Sequence, residues 1–208
     1  MSASLPSPDF VEAFLGQVAE ITHRLDRHAI ESMAAGLERV RGAGGRVFVL
    51  GVGGSAANAC HLVNDLRKLA GIEAYAPTDN VAELTARAND EGWDTVFTAW
   101  LAESRLAPGD ALLVLSVGGG SWEPPISTPL AHAVDYAAAV GASVLGIVGR
   151  DGGHTARHAE VCVLIPTVDP ERVTPLTEAF QAVVWHLLVT HPRLSQRRGR
   201  WEDAARSR

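Results

Sequence analysis

This sequence predicts an α/β fold with a doubly wound parallel sheet, on three observations. Short, continuous apolar runs of four to six residues recur along the chain, as expected of strands buried on both faces. Segments with helical spacing of apolar residues lie between them, which implies parallel βαβ units with right-handed crossovers and helices on both faces of the sheet. Two of the apolar runs end in Gly/Ser-rich loops, and ligands of open α/β sheets bind at such carboxyl ends.

The elements follow in order. Pro6, Ser7, Pro8 and Asp9 form a helix start, with Ser7 or Asp9 available as a cap. Phe14, Val18, Ile21 and Leu25, then Ile30, Met33, Leu37 and Val40, recur at steps of three and four until Gly42, Gly44 and Gly45 stop the pattern. Residues 9–42 are therefore expected to form one long or broken amphipathic helix, an N-terminal helical extension. Its apolar stripe either folds onto its own sheet or packs against another subunit. With Phe10, the stripe is large enough to expect these helices to form much of a subunit contact. The runs at 47–50, 111–115, 143–148 and 161–165 are the buried strands, and Glu73-Ala74-Tyr75 is a fifth, less hydrophobic candidate. Helices are expected at about 55–70, 80–88, 93–105, 129–140 and 174–190. There is no internal repeat, so residues 1–208 are expected to make a single domain with a flexible tail from about 194.

Composition excludes several classes. Of the 208 residues, 47% are hydrophobic and 20% charged, a globular balance rather than a disordered one. A formal net charge of −6 argues against nucleic acid as the main partner. The one basic cluster, at 196–200, is expected to be a solvated tail. Cys60 and Cys162 fall in a helix and a buried strand without short-range pairing, which suits a reducing compartment. With neither a leader pattern nor an apolar stretch of about 18 residues, a cytoplasmic protein without a membrane span is expected.

The first strand runs into Gly51-Val52-Gly53-Gly54-Ser55-Ala56-Ala57-Asn58 at a helix start. Glycines there allow close backbone approach, and free N–H groups with the helix dipole favour an anion, typically phosphate. Gly51, Gly53 and Ala56 also satisfy the dinucleotide fingerprint, and glycines can simply make a tight turn. A second loop, Ser116-Val117-Gly118-Gly119-Gly120-Ser121, favours one compact phosphate over an extended dinucleotide. Glu73 and Asp79 are also poorly placed for an adenosine ribose. In Ala88-Asn89-Asp90-Glu91-Gly92-Trp93-Asp94-Thr95-Val96-Phe97, Asn89 and Asp90 look like a helix stop and turn, or else a buried pair that could bind sugar hydroxyls.

Taken in order, Gly53-Gly54-Ser55-Ala56-Ala57 leading to His61, the 88–97 block, the Ser116 loop and Arg150-Asp151-Gly152-Gly153 resemble the sugar isomerase (SIS) domain family, in particular bacterial sedoheptulose 7-phosphate (phosphoheptose) isomerases. The likeness runs from about residue 10 to 190. It implies a five-stranded parallel sheet flanked by helices and a homotetramer with active sites between subunits. The substrate it implies is a small sugar phosphate, bound by Gly53, Gly54, Ser55, Asn89, Asp90, Ser116, Val117, Gly118, Ser121 and Glu178.

His61 and Asp65 share a helix face four residues apart, and Glu178 and His186, eight apart, lie on roughly one side of the last helix. Two imidazoles and two carboxylates could hold zinc or a similar divalent cation. They could equally supply the acid and base of an aldose–ketose isomerisation through an enediol(ate), or be a core histidine and a surface ion pair. In similar isomerases His61 and His186 fall where metal-binding and catalytic histidines sit, Asp65 where a catalytic Glu sits, and Glu178 where a Gln sits. The resemblance thus implies Asp65 and His186 as catalytic and His61, Asp65, Glu178 and His186 as metal ligands. Cys60, His132, His154, His158 and His191 gain no such support and are expected to be structural.

Besides Glu178, four residues depart from the family pattern: Val52 for an Asn, Val117 and Gly118 for a Thr and a Ser, and Asp65 for a Glu. They leave open a non-catalytic phosphosugar sensor or protein-interaction module of the same fold.

Overall fold

The computed structural model describes residues 8–201. The N-terminal region is two helices, α1 (Pro8–Arg24) and α2 (Arg27–Gly42). The break is made by Asp26, whose Oδ1 accepts the amides of His28 at 2.8 Å and Ala29 at 3.1 Å and so caps α2. Of the two caps expected for the start of α1, Asp9 lies within its first turn and Ser7 lies outside the described residues.

Five strands follow, β1 (Arg46–Leu50), β2 (Glu73–Tyr75), β3 (Ala111–Ser116), β4 (Ser143–Val148) and β5 (Val161–Leu164). They are all parallel, in the order β2-β1-β3-β4-β5. The connecting helices are α3 (Gly54–Lys68), α4 (Val81–Asp90), α5 (Val96–Glu103), α6 (Thr128–Val140), α7 (Gly153–His158) and α8 (Val173–Thr190). Short 3-10 turns precede α4, α5 and α8. The doubly wound expectation holds: α2, α3 and α8 bury one face of the sheet and α5 and α6 the other. Winding goes from β1 outward to β2 and then back across to β3, so the strand order reverses between β1 and β3. In such sheets that reversal opens the ligand crevice.

The N-terminal stripe is mostly used within the chain. Ile21, Ile30, Met33, Leu37 and Val40 are core residues, with Phe14, Val18 and Leu25 packed on them. Only Phe10, Val11 and Leu15 at the start of α1 stay exposed, so the broad subunit-facing surface expected of these helices shrinks to two turns. The first residues of the expected tail are held against the body. Leu194 is buried, Arg41 holds the carbonyls of Arg193 and Leu194, and the amides of Gln196 and Arg197 bond to the Leu69 carbonyl.

At the amino edge of the sheet, Asp110 receives the Arg46 guanidinium at 2.7 Å and the amides of Arg46 and Ala107 at 2.8 and 3.0 Å. Burial alone would push its carboxyl up, but these donors outweigh it and hold the group below its ordinary value.

Candidate active site

At the crevice between β1 and β3, two loops wall a cavity of about 490 Å³. Gly51 is required in the first because a side chain there would overlap the backbone of Ser55 and Ala56. The chain then turns through Gly53 at φ +63° into α3, whose N-terminus carries no side-chain cap. In the second loop, Ser116 Oγ accepts the amides of Gly119 at 3.0 Å and Gly118 at 3.3 Å. Gly119, at φ +71°, packs so close to Gly152 that a Cβ would collide with the carbonyl there.

Of the residues expected to bind substrate, Ser55, Ser116, Val117, Gly118 and Ser121 line this cavity. Gly53 and Gly54 do not. The first turn of α3 instead faces the Glu178 carboxylate, which sits where a Gly54 side chain would go. A carboxylate is favourable there against the helix dipole, but it takes the place the sequence suggests for phosphate. The amides of Gly118 and Gly119 are likewise turned on Ser116 rather than left free. Asn89 and Asp90 are not a buried pair: both are exposed at the end of α4, hydrogen-bonded to each other at 2.7 Å. They read as the helix stop. From the same block Asp94 accepts a hydrogen bond from Thr128 at the start of α6.

Two cations line the cavity wall: Arg150, which the sequence offers only as part of the motif after the fourth strand and not as a site residue, and Arg157, which it does not single out. Arg150 stands two residues past the end of β4, at a left-handed φ of +53°, and packs toward Gly118. Its position just past a strand's carboxyl end is the signal that marks it. Glu123 and Asp151 share the wall, with the hydroxyls of Ser127 and Thr174. Such a lining suits a ligand carrying both hydroxyls and an anionic group.

Below the cavity, α3 and α8 run side by side in the same direction. Gln181, fully buried, donates to Ser55 Oγ and accepts from Asn58, each at 3.0 Å, and Asn58 also donates to the Glu178 carbonyl at 2.9 Å. Sequence reading missed this network. The available signal was a Gln on the apolar phase of α8, between Phe180 and Val184.

Two turns further along the same seam, His61, Asp65 and His186 converge, with ligand atoms within 4.8 Å of one another. Asp65 Oδ2 lies 3.8 Å from His61 Nε2 and 3.9 Å from His186 Nε2, while its Oδ1 accepts from Asn64 at 2.8 Å. His186 Nδ1 is 2.7 Å from the Ala182 carbonyl. A carbonyl only accepts, so Nδ1 carries a proton and, in the neutral ring, the lone pair is on Nε2. Trp185 is buried beneath, stacked on His186 at 3.5 Å and edge-on to His61 at 4.6 Å. The two imidazoles are half exposed and Asp65 is buried. Two nitrogens and one oxygen make a donor set that fits a zinc-type cation with an open fourth position.

Glu178 does not join them. Eight residues of helix separate it from His186 by roughly 12 Å along the axis, and that rise outweighs their shared side. None of His61, Asp65 and His186 lines the cavity.

A cavity at the switch point of a five-stranded, doubly wound parallel sheet, with an imidazole–carboxylate cluster on the adjoining helix seam, defines a ligand-binding α/β protein. The chain belongs to the SIS domain family, whose model matches residues 10–149. It is 33% identical over 187 residues to the phosphoheptose isomerase of Rhodospirillum rubrum, covering 86% of this chain and 94% of that one. It is 34% identical over 184 residues to that of Chlorobaculum parvum, covering 85% and 83%. Among solved structures, the phosphoheptose isomerase GmhA from Neisseria gonorrhoeae shares the fold, with a TM-score of 0.74, 24% identity, and 87% of this chain and 95% of that one covered.

Proposed function

We propose that this protein is an aldose–ketose isomerase that interconverts sedoheptulose 7-phosphate and the aldoheptose 7-phosphate by proton transfer through an enediol(ate). The observation that carries the reading is the convergence of His61, Asp65 and His186 in a chain so similar, over nearly its full length, to named phosphoheptose isomerases.

Isomerisation needs one group to take the proton α to the carbonyl and another to serve the oxygens. Asp65 Oδ2, the oxygen that Asn64 leaves free, and His186 Nε2, the nitrogen with its lone pair available, are the catalytic pair. Ser55, Ser116, Val117, Gly118 and Ser121 form the substrate wall, joined by Arg150 for the phosphate. His61, Asp65 and His186 are also the residues that would hold zinc, which would take the His186 Nε2 lone pair in place of its acid–base role. When bound, zinc would polarise the sugar's carbonyl and neighbouring hydroxyl. Trp185 closes the inner side of the cluster and holds the His186 ring in place.

Within one chain the cavity and the cluster do not make one pocket. The cluster opens outward beside Val183 and Leu187, both exposed apolar residues of α8. This supports completion of each site between subunits; the family resemblance alone supplies the stoichiometry, a homotetramer, and light scattering that returns a monomer at micromolar concentration would remove that part of the reading. Among the described residues no helix is long and apolar enough to cross a membrane. We place the protein in the cytoplasm, where its two free cysteines stay reduced.

The deciding experiment follows sedoheptulose 7-phosphate with purified protein in D₂O. Deuterium entering the α-carbon, and lost with His186→Ala, is the expected result. Binding without exchange would instead favour a phosphosugar sensor, the reading to which Val117 and Gly118 lend support.

A further inference from the structure

A second convergence of imidazoles lies away from the α3–α8 seam, on the other side of the sheet. His154 and His158 are one helical turn apart on α7, and Asp135 faces them from α6. His154 is buried, 6% exposed, with Nε2 2.6 Å from Asp135 Oδ1. The His158 ring is tilted against it, centroids 4.3 Å apart. Trp122 lies edge-on to His154, 5.7 Å from its ring, and to the neighbouring His132 at 4.6 Å.

An Asp–His ion pair alone accounts for His154 but not for His158. The hydrogen bond to Asp135 engages one ring only, whereas a shared cation would engage all three converging side chains at once. We propose that Asp135, His154 and His158 form a second binding site for a zinc-type divalent cation. Two histidines at i and i+4 on one helix face, with a carboxylate from a neighbouring helix, are a zinc donor set rather than a magnesium or calcium one. Around one ion, ligand atoms stand roughly 3.3 Å apart for bonds of about 2.0–2.1 Å. All three already lie within 4.8 Å of one another. Asp135 is exposed and needs to withdraw from His154 by only about 0.7 Å to meet that spacing.

The position suggests what the ion does. The amide of His154 donates to the Gly120 carbonyl at 2.7 Å, and Thr155 bonds the Gly119 carbonyl through its amide and its hydroxyl, at 2.9 and 2.7 Å. Arg157, on the turn between the two histidines, lines the cavity, as do Ser121 and Glu123 on either side of Trp122. A cation here would clamp α6 to α7 behind the Ser116 loop and stiffen one wall of the cavity.

The proposal is independent of the isomerase reading, and its test uses zinc alone. In a His61→Ala/His186→Ala background, which removes the other donor set, calorimetric titration should still find about one zinc per chain. The melting temperature should rise on loading. Adding His158→Ala should weaken that binding at least about tenfold, a loss that even residues merely supporting a ligand cause. Asp135→Asn should do the same. Both side chains are exposed, so circular dichroism should show each variant folded. No zinc bound in the background protein, or equal affinity with and without His158→Ala and Asp135→Asn, would overturn the site and leave an Asp–His pair.

Discussion

The α3–α8 seam changes character along its length. Near the cavity, Ser55, Gln181 and Asn58 are buried or half-buried and close on one another at 3.0 Å. Further along, His61 and His186 are half exposed and stand 3.8 and 3.9 Å from Asp65, too far for hydrogen bonds. The same two helices therefore carry one region already fixed by its own partners and one still open to a ligand. Buried polar groups must be satisfied within the chain, whereas an open cluster can be completed by a substrate, a cation or another subunit. The first region is expected to set stability and the second to set rate.

The largest effect expected from this division is on turnover. His186→Ala should lower kcat for sedoheptulose 7-phosphate by about 10²–10⁴-fold, the range for losing a general acid or base. Its melting temperature in the absence of metal should hardly move, because the side chain is half exposed. Steady-state kinetics beside a thermal melt separate the two. A variant that melts early yet turns over normally would invert the assignment.

Gln181→Ala should do the reverse. It removes a fully buried amide that holds Ser55 and Asn58, and leaving such groups unpaired costs about 1–3 kcal/mol each. For a chain of this size that is a fall of several degrees in Tm, at about 2–4 °C per kcal/mol. Calorimetry should show it at any substrate concentration.

A reference point lies at the far edge of the sheet, where Asp110 touches neither region. Its folded carboxyl sits below the ordinary unfolded value of about 3.9. The folded state thus binds the proton less readily, and stability from this group is fully present above about pH 4. It is lost as pH falls through the depressed folded value. Asp110→Asn should lower Tm at pH 7 by an amount equivalent to about 1–3 kcal/mol and flatten the acid limb of Tm against pH. Turnover per folded molecule should stay unchanged. A rate defect would show that the amino edge is coupled to the site.

Much of the fold was legible because strand burial writes itself as uninterrupted apolar runs. The candidates at 73–75 and 143–148 match β2 and β4 to the residue. The helix α7 was missed: it is six residues long, opens on Gly152 and Gly153, and carries no apolar repeat. The loops at β1 and β3 were legible as glycine runs, but what their amides do was not. Ser116 can turn back on the amides of Gly118 and Gly119 or leave them to a ligand, and the spacing allows both. The His61–Asp65 pair could be read from one helix. That His186 would join it, and Glu178 would not, depended on how two helices pack. The N-terminal stripe posed a choice between own core and partner, and periodicity cannot tell one apolar neighbour from another.

Glu178 is where the smallest effect is expected, and it tests the division most finely. An eight-residue spacing suggests a common face with His186, but the rise along α8 places the carboxylate at the first turn of α3, in the fixed region. There it serves the helix dipole, worth about 0.3–1 kcal/mol near a partly exposed helix end. Glu178→Gln should therefore lower Tm by a degree or two and leave zinc affinity at the His61/Asp65/His186 cluster within about threefold of the parent, since ligand loss would cost far more. Zinc titration of the Glu178→Gln and Asp65→Asn variants side by side makes the contrast, with Asp65→Asn expected to weaken binding strongly. If Glu178→Gln weakens zinc as much as Asp65→Asn does, the carboxylate reaches the cluster in the assembled protein. The seam would then be one continuous site rather than two regions.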